Sequence, residues 1–185
     1  MGTDGGSFNM YSGTLSCVVK TDEQMKGIHI GGVLYAPSGS ITNIYGGTIC
    51  DGISASVGTK LKNCGGGNIY TGGSFAMTAG TVRGGMAYNN SCIEQDPTNP
   101  ILDEKGKATT LIGYGGSIHA SALNMTGGRI VGGIAKTGVG GNIYISKDQA
   151  NYLTVEPGDD GAATVIANGT GILKQPQRQL PPVAI

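Results

Sequence analysis

The chain has 185 residues, 35 of them glycine and only 7 proline, and its 12 basic and 12 acidic side chains leave no formal net charge. An apolar share of 38% without net charge argues against disorder, and the scarce proline argues against collagen, which needs glycine at every third position. Nucleic-acid binding is not expected, because it needs a concentrated basic surface, and no stretch approaches the roughly 18 apolar residues of a membrane span.

A short motif recurs along the chain: a glycine pair, one variable residue, an aliphatic residue, and then tyrosine or histidine. Its copies are GGVLY (31–35), GGNIY (66–70), GGSIH (115–119) and, with Gly140 before it, GNIYI (141–145). Internal self-similarity of this kind is the sequence signature of repeat architectures. The motif predicts that Leu34, Ile69, Ile118 and Ile143 occupy equivalent positions.

A longer motif follows three of these copies and also occurs near the start of the chain. Its copies are FNMYSGTLSCVV (8–19), TNIYGGTICDGIS (42–54), FAMTAGTVRGGMA (75–87) and LNMTGGRIVGGIA (123–135). All copies share an apolar residue and, three positions later, a glycine. The apolar residues are Met10, Ile44, Met77 and Met125, and the glycines are Gly13, Gly47, Gly80 and Gly128.

Apolar and polar residues alternate within each motif, as in Phe75-Ala76-Met77. This period of two is typical of a strand with one buried face, and glycine permits tight corners between strands. About three short strands per turn of roughly 20 to 25 residues indicate an all-β protein with the fold of a parallel β-solenoid, in which each turn is buried by its neighbours.

The spacing of the repeats predicts the domain organisation. We expect one repeat domain over residues 1–171, with inserts at about 54–64 and 88–114, followed by a proline-rich tail or linker over 172–185. The second insert is either a binding loop or a tolerated insertion. Pro176, Pro181 and Pro182 exclude the tail from the centre of a sheet.

GGNIY followed by FAMTAGTVRGGMA resembles the glycine-rich repeats of large, adhesin-like bacterial surface proteins, which have a right-handed parallel β-helix of the pectate-lyase type. The ending NIYISKDQANYLTV is similar to the ends of such repeat arrays. The resemblance implies a right-handed β-helix (β-solenoid) from an extracellular or cell-surface bacterial protein. It also implies that the chain is a fragment, with neighbouring domains of a longer chain as partners.

Parallel β-helices also include polysaccharide lyases and hydrolases, which need converging carboxylates. Within the repeats Asp51 aligns with Gly84 and Gly132, so no acidic ladder is expected, and Arg83 and Arg129 occupy different repeat positions. The clustered acids, interpreted as solvated turns, are Asp22, Glu23, Glu94, Asp96, Asp103, Glu104, Glu156, Asp159 and Asp160. VEPGDDG is the best calcium candidate but lacks a known calcium-binding spacing. We therefore expect no enzymatic activity, no metal and no cofactor.

The two histidines, His29 and His119, have no serine or cysteine partner in a recognisable motif, so a catalytic triad is not expected. The four cysteines, which allow three pairings, are Cys17, Cys50, Cys64 and Cys92. Cys64 and Cys92 lie about one turn apart and are candidates for a disulfide. The alternative, which we favour, is that all four are buried thiols.

One column of residues suggests binding. If the aliphatic residue after each glycine pair points inward, then Tyr35, Tyr70, His119 and Tyr144 point outward on successive turns. They would stand beside Val33, Asn68, Ser117 and Asn142. Exposed rings with amide and hydroxyl neighbours form a platform for sugar rings. The alternative is that the rings stabilise the stack by contacting one another.

These observations predict a non-enzymatic structural or adhesive segment of a bacterial surface or secreted protein, a rigid scaffold that binds glycans or a host or cell-wall surface. One alternative is a carbohydrate-active β-helix enzyme, a polysaccharide lyase or hydrolase, or its inactive remnant. Another is a segment of a phage tail fibre, which shares the architecture.

Overall fold

The computed structural model describes residues 5–17, 27–29, 31–57, 64–89, 113–136, 138–146, 152–158 and 163–172. These ranges contain strands and turns and no helix, so the all-β prediction is confirmed for them. No helix in this part of the chain is long and apolar enough to cross a membrane.

The described strands, in chain order, are β1 (Ser7–Met10), β2 (Thr14–Ser16), β3 (Gly27–His29), β4 (Leu34–Ala36), β5 (Ile41–Ile44), β6 (Thr48–Cys50), β7 (Ile53–Val57), β8 (Cys64–Gly65), β9 (Ile69–Met77), β10 (Thr81–Arg83), β11 (Met86–Asn89), β12 (Gly113–Tyr114), β13 (Ile118–Met125), β14 (Arg129–Val131), β15 (Ile134–Lys136), β16 (Gly138–Val139), β17 (Ile143–Ile145), β18 (Leu153–Val155), β19 (Val165–Ala167) and β20 (Thr170–Ile172).

The strands form four sheets. Sheet A has the order β1-β5-β9-β13-β17, with β4 paired to β9 and β18 paired to β13. Sheet B has the order β19-β14-β10-β6-β2, sheet C the order β20-β15-β11-β7-β3, and sheet D the order β16-β12-β8. Every pairing is parallel except that of β3 with β7, which is antiparallel.

The chain visits sheets A, B and C in the same order each time, and we call each such passage a repeat. Each repeat pairs with the one before and the one after, because β6 lies between β2 and β10 and β10 lies between β6 and β14. Parallel neighbours that are distant in sequence need crossover connections; here the crossovers are strands of the other sheets. This topology is compatible with a parallel β-helix.

The core consists of columns of apolar side chains that run from repeat to repeat. Burial alternates along the strands: Leu34 and Ala36 are buried, whereas Tyr35 between them is exposed. The inward columns are Met10, Ile44, Met77 and Met125 in one half of sheet A, Leu34, Ile69 and Ile118 in the other half, and Ile49, Val82 and Ile130 in sheet B. The equivalences predicted from the two motifs are therefore confirmed.

The structure differs from the prediction in how the strands are divided. Short strands separated by glycine corners were predicted, but β9 is one continuous strand that contains both Ile69-Tyr70-Thr71 and Phe75-Ala76-Met77. Gly72 and Gly73 lie inside this strand against the backbone of Pro37–Ser40, where a Cβ on Gly73 would overlap the Ser40 carbonyl oxygen. These two glycines permit close approach within a sheet and do not form a corner.

Strands extend into both predicted inserts. β7 covers residues to Val57 and β11 covers residues to Asn89, while the rest of the inserts, 58–63 and 90–112, lies outside the described residues. β20 ends at Ile172, and the predicted tail beyond it, residues 173–185, also lies outside them.

The glycines that form corners generate a stability prediction. Gly66 has φ of 64° and Gly39 has φ of 83°, a left-handed conformation that costs other residues about 1–2 kcal/mol. A Cβ at Gly66 would also overlap the backbone of Ile69, whereas a Cβ at Gly39 would meet nothing within 4 Å.

We expect Gly39→Ala to lower the free energy of unfolding by about 1–2 kcal/mol. Gly66→Ala should cost about 1–3 kcal/mol more, because the overlap forces the backbone to shift. Chemical denaturation of both variants measures the difference, and equal losses would contradict the packing at Gly66.

Candidate functional site

The predicted aromatic column exists in the structure. Tyr35 pairs with Tyr70, Tyr70 with His119, and His119 with Tyr144, all in sheet A and in parallel register. Each ring follows an inward-pointing aliphatic residue. The strand alternation that buries the aliphatic residue therefore turns the ring toward the outer face.

The rings contact one another along the whole column. The centroids of Tyr35 and Tyr70 are 5.4 Å apart with an interplanar angle of 17°. His119 follows at 4.7 Å from Tyr70 with a tilt of 60°, and its ring is 5.1 Å from Tyr144 in an edge contact at 82°. Distances of this kind are typical of stabilising aromatic pairs.

One member of this cluster, Tyr114, was not predicted from the sequence. Its ring lies 4.4 Å from Tyr144 and 6.0 Å from His119. Tyr114 belongs to β12 of sheet D and immediately precedes the glycine pair of its repeat. The available signal was its position next to that pair, but it was assigned to the end of an insert.

The column is more buried than the prediction assumed. Tyr35 is 38% exposed, while Tyr70, His119 and Tyr144 are half-buried. Burial raises the pKa of Tyr70, with a further contribution from Tyr35, and burial raises the pKa of Tyr114 with a contribution from Tyr144. Tyr70 contacts rings on both sides, so little of its ring surface is open to a ligand.

His119 is held as a neutral imidazole. Burial lowers the pKa of His119 from 6.5 to about 4. Its Nδ1 atom is buried and has no hydrogen-bond partner among the described residues. The ring packs over Gly65, where a Cβ would overlap Nδ1.

The expectation of exposed amide and hydroxyl neighbours was wrong. Asn68 and Ser117 are fully buried and Asn142 is 6% exposed, while Val33 is half-buried and packs against the core. The chain turns at the glycine pair, so the next residue points into the interior and not along the outer face.

The buried asparagines have a structural role. Asn68 Oδ1 accepts a hydrogen bond of 2.7 Å from the Gly52 N–H, and Asn68 Nδ2 donates one of 2.9 Å to the Arg83 carbonyl oxygen. Asn142 repeats this arrangement two repeats later with the Gly133 N–H and the Ala167 carbonyl, both at 2.7 Å. Each amide thus satisfies buried backbone groups of two consecutive repeats.

The charged residues of the repeats are placed as predicted. Asp51 lines up with Gly84 and Gly132, because Asp51 N–H donates to the Arg83 carbonyl and Gly84 N–H donates to the Val131 carbonyl. Arg83 pairs with Val131 in the register, whereas Arg129 pairs with Thr81. The Asp51–Arg83 ion pair, 3.5 Å long and about half exposed, contributes little to stability.

The remaining candidate residues do not form a site in the described part of the chain. There, no group of three His, Cys, Asp or Glu side chains is placed to hold a metal ion. Of the clustered acids only Glu156 is described, and it is exposed; the others lie outside the described residues. His29 belongs to β3.

The described cysteines partly fit the expectation of buried thiols. Cys50 is buried and Cys17 is half-buried. Burial, followed by the neighbouring Asp51, raises the pKa of Cys50, which makes its thiol less reactive. The side chain of Cys64 and all of Cys92 lie outside the described residues, so their pairing stays a prediction.

A second aromatic pair was also missed. Tyr11 and Tyr45 follow the inward residues Met10 and Ile44 in the longer motif, and their rings stack at 4.9 Å with an interplanar angle of 14°. Both were visible in the aligned copies FNMY and TNIY. The other two copies have threonine at this position, Thr78 and Thr126, so the alignment predicts no continuous aromatic column there.

No protein-family model, no curated protein and no solved structure matches this chain. The resemblance to bacterial surface repeats therefore depends on the repeat residues alone.

The asparagine contacts predict a large loss of stability when Asn68 is truncated. Asn68→Ala leaves the buried Gly52 N–H without its partner, while the Arg83 carbonyl keeps the hydrogen bond from the Asp51 N–H, and we expect a loss of about 1–3 kcal/mol. Asn124→Ala, at an exposed position of sheet A, should cost less than about 0.5 kcal/mol. Denaturation of both variants tests this, and similar losses would contradict the buried bridge.

The burial of His119 predicts a dependence of stability on pH. The folded state favours the neutral ring, so stability is complete above pH 6.5 and falls as the pH drops toward about 4. The loss should not exceed roughly 3 kcal/mol. His119→Phe should show a flatter stability profile across this window, and an unchanged profile would contradict the burial of the imidazole.

Proposed function

We propose that the chain is a non-enzymatic structural and adhesive segment of a bacterial cell-surface or secreted repeat protein, folded as a right-handed parallel β-helix. The observation that carries this proposal is the recurrence of the same corners and the same inward columns in each repeat. A scaffold of this kind holds its outer residues in fixed rows, which suits the display of a surface.

The structural half of the proposal follows from how the repeats are joined. Successive repeats are linked by backbone hydrogen bonds at the corners, such as Thr48 N–H to the Gly13 carbonyl and Thr81 N–H to the Gly47 carbonyl, both 2.9 Å long. Apolar columns run through the same repeats. Separating two repeats would break both kinds of contact at once, which is the property expected of a rigid stalk.

The adhesive half is supported by the composition of the chain. Only 13% of the residues are charged, so uncharged polar residues and tyrosine supply much of the polar surface. Such side chains offer ring faces and hydrogen-bonding groups without strong fields. They suit glycans better than nucleic acids, which need a basic surface.

The experiment is to apply the purified chain to an array of host and cell-wall glycans and to incubate each bound glycan with the protein. We expect binding without cleavage. Cleavage, detected by mass spectrometry of the glycan, would favour a carbohydrate-active enzyme. Failure to bind any glycan would contradict the adhesive half of the proposal and would not affect the structural half.

The same assay tests the two alternatives for the column formed by Tyr35, Tyr70, His119 and Tyr144, that its rings bind a ligand or that they stabilise the stack, and the contacts between the rings favour the second. Because these rings cover one another, we expect Tyr70→Ala combined with Tyr144→Ala to lower the melting temperature and to leave glycan affinity unchanged. A loss of affinity in the folded variant would assign the ligand to this column.

A further inference from the structure

The most exposed aromatic side chains in the described part of the chain are Tyr11 and Tyr45, on the outer face of sheet A. Tyr11 is 70% exposed and Tyr45 is 42% exposed, although their rings stack on each other. The ring of Tyr45 covers one face of Tyr11. The high exposure of Tyr11 therefore indicates that its other face is accessible.

Two amide side chains lie beside this aromatic pair. Asn9 and Asn43 are register partners in β1 and β5, and Tyr11 and Tyr45 immediately follow the ends of these strands. Met10 and Ile44, between the amides and the rings, are buried, whereas Tyr11 and Tyr45 are exposed, which places the rings on the same side as the amides. Asn43 Nδ2 donates a hydrogen bond of 2.8 Å to Asn9 Oδ1. This bond leaves the Nδ2 group of Asn9 and the Oδ1 atom of Asn43 to contact other partners.

The backbone beneath the pair holds it in place. Tyr45 N–H donates a hydrogen bond of 2.8 Å to the Met10 carbonyl. Gly46 lies so close to Tyr11 that a Cβ there would overlap the Tyr11 carbonyl oxygen. The backbone of both tyrosines is thus held in place before any ligand arrives, and the rings are held only by their contact with each other, which limits the entropy lost on binding.

The described positions around the aromatic pair carry little charge. Asn9 and Tyr11 also belong to the segment, residues 8–15, that lines an open groove of about 390 Å³, whereas Asn43 and Tyr45 do not line it. The positions that continue the two outer columns are Ala76, Asn124 and Thr154, and Thr78, Thr126 and Glu156. Only Glu156 is charged, and it lies three repeats from Tyr45, at roughly 4.8 Å per strand.

We propose that Asn9, Tyr11, Asn43 and Tyr45 form a binding site for a neutral polysaccharide, in which the tyrosine rings contact the apolar face of the sugar and the amides bind its hydroxyl groups. Exposed rings occur here beside amides that are not buried, because Asn9 is exposed and Asn43 is half-buried; this combination was expected beside Tyr70. A single-stranded nucleic acid would also stack on these rings, but the described positions of the two outer columns include no basic residue to contact phosphates. The inference rests on the adhesive half of the proposed function and assigns it a surface.

The test measures depletion of the protein from solution by insoluble cellulose, chitin and mannan, with polygalacturonate gel as an anionic comparison. Four proteins are compared: the wild type, Tyr11→Ala/Tyr45→Ala, Tyr11→Phe/Tyr45→Phe, and Tyr70→Ala/Tyr144→Ala. Melting temperatures and circular dichroism establish that each variant is folded at the assay temperature. Exposed rings should be removable without unfolding the chain.

We expect the wild type to bind at least one neutral polysaccharide. The Tyr11→Ala/Tyr45→Ala variant should bind the same polysaccharide at least about tenfold more weakly. The phenylalanine variant, which keeps both rings, should stay within about threefold of the wild type, as should the folded Tyr70→Ala/Tyr144→Ala variant.

Each other outcome overturns the site. Unchanged binding by Tyr11→Ala/Tyr45→Ala would overturn it while leaving the adhesive function in place. Binding of polygalacturonate alone would overturn the neutral class of ligand. If the wild type binds none of the four polymers but binds another class on the glycan array, the site fails and adhesion stands; if it binds nothing in either assay, both fail.

Discussion

The backbones of successive repeats approach each other too closely at their glycine pairs for a side chain to fit between them. A Cβ on Gly32 would overlap the carbonyl oxygen of Gly67, one on Gly67 would overlap that of Gly116, and one on Gly116 would overlap that of Gly141. This contact recurs at each passage of the chain and sets the register between repeats. The apolar columns, the corner hydrogen bonds and the rows on the outer face all depend on it, because a slip of one residue would turn every inward side chain outward.

The same register explains where polar groups are placed. The residue after each glycine pair points into the interior, where a polar side chain without a hydrogen-bond partner costs desolvation free energy. Asn68 and Asn142 find partners in the backbone of two consecutive repeats, whereas Ser117 Oγ, at the equivalent position, has none among the described residues. On the outer face the register places equivalent residues of successive repeats next to each other. The rings of Tyr35, Tyr70, His119 and Tyr144 therefore form a packed column. Where the column is short, as at Tyr11 and Tyr45, ring surface stays open to solvent.

Sequence reasoning predicted what depends on periodicity. The equivalence of Met10, Ile44, Met77 and Met125, and the alignment of Asp51 with the glycines of later repeats, follow from spacing alone and are confirmed. It failed where three-dimensional packing decides. The sequence alone does not distinguish a glycine pair that forms a corner from one that lies within a strand, as Gly72 and Gly73 do. The burial of Asn68, close to Tyr70 in the sequence, depends on how the chain turns at the preceding glycine pair, which the sequence does not show. Tyr114 belongs to a different sheet from the other rings of its cluster, so its contact with Tyr144 cannot be predicted from the repeat.

The central claim is that each repeat pairs with the next in one continuous register, and scalar couplings across hydrogen bonds test it most directly. Isotope-labelled protein should show coupling between the amide nitrogens of Thr48, Thr81, Arg129 and Val165 and the carbonyl carbons of Gly13, Gly47, Gly80 and Gly128, in that order. The corresponding N–O distances are 2.9, 2.9, 3.0 and 3.0 Å. Detection of all four couplings would establish the register through the described repeats. Couplings between strands that follow each other directly in the sequence, as in antiparallel hairpins, would contradict the parallel pairing of successive repeats.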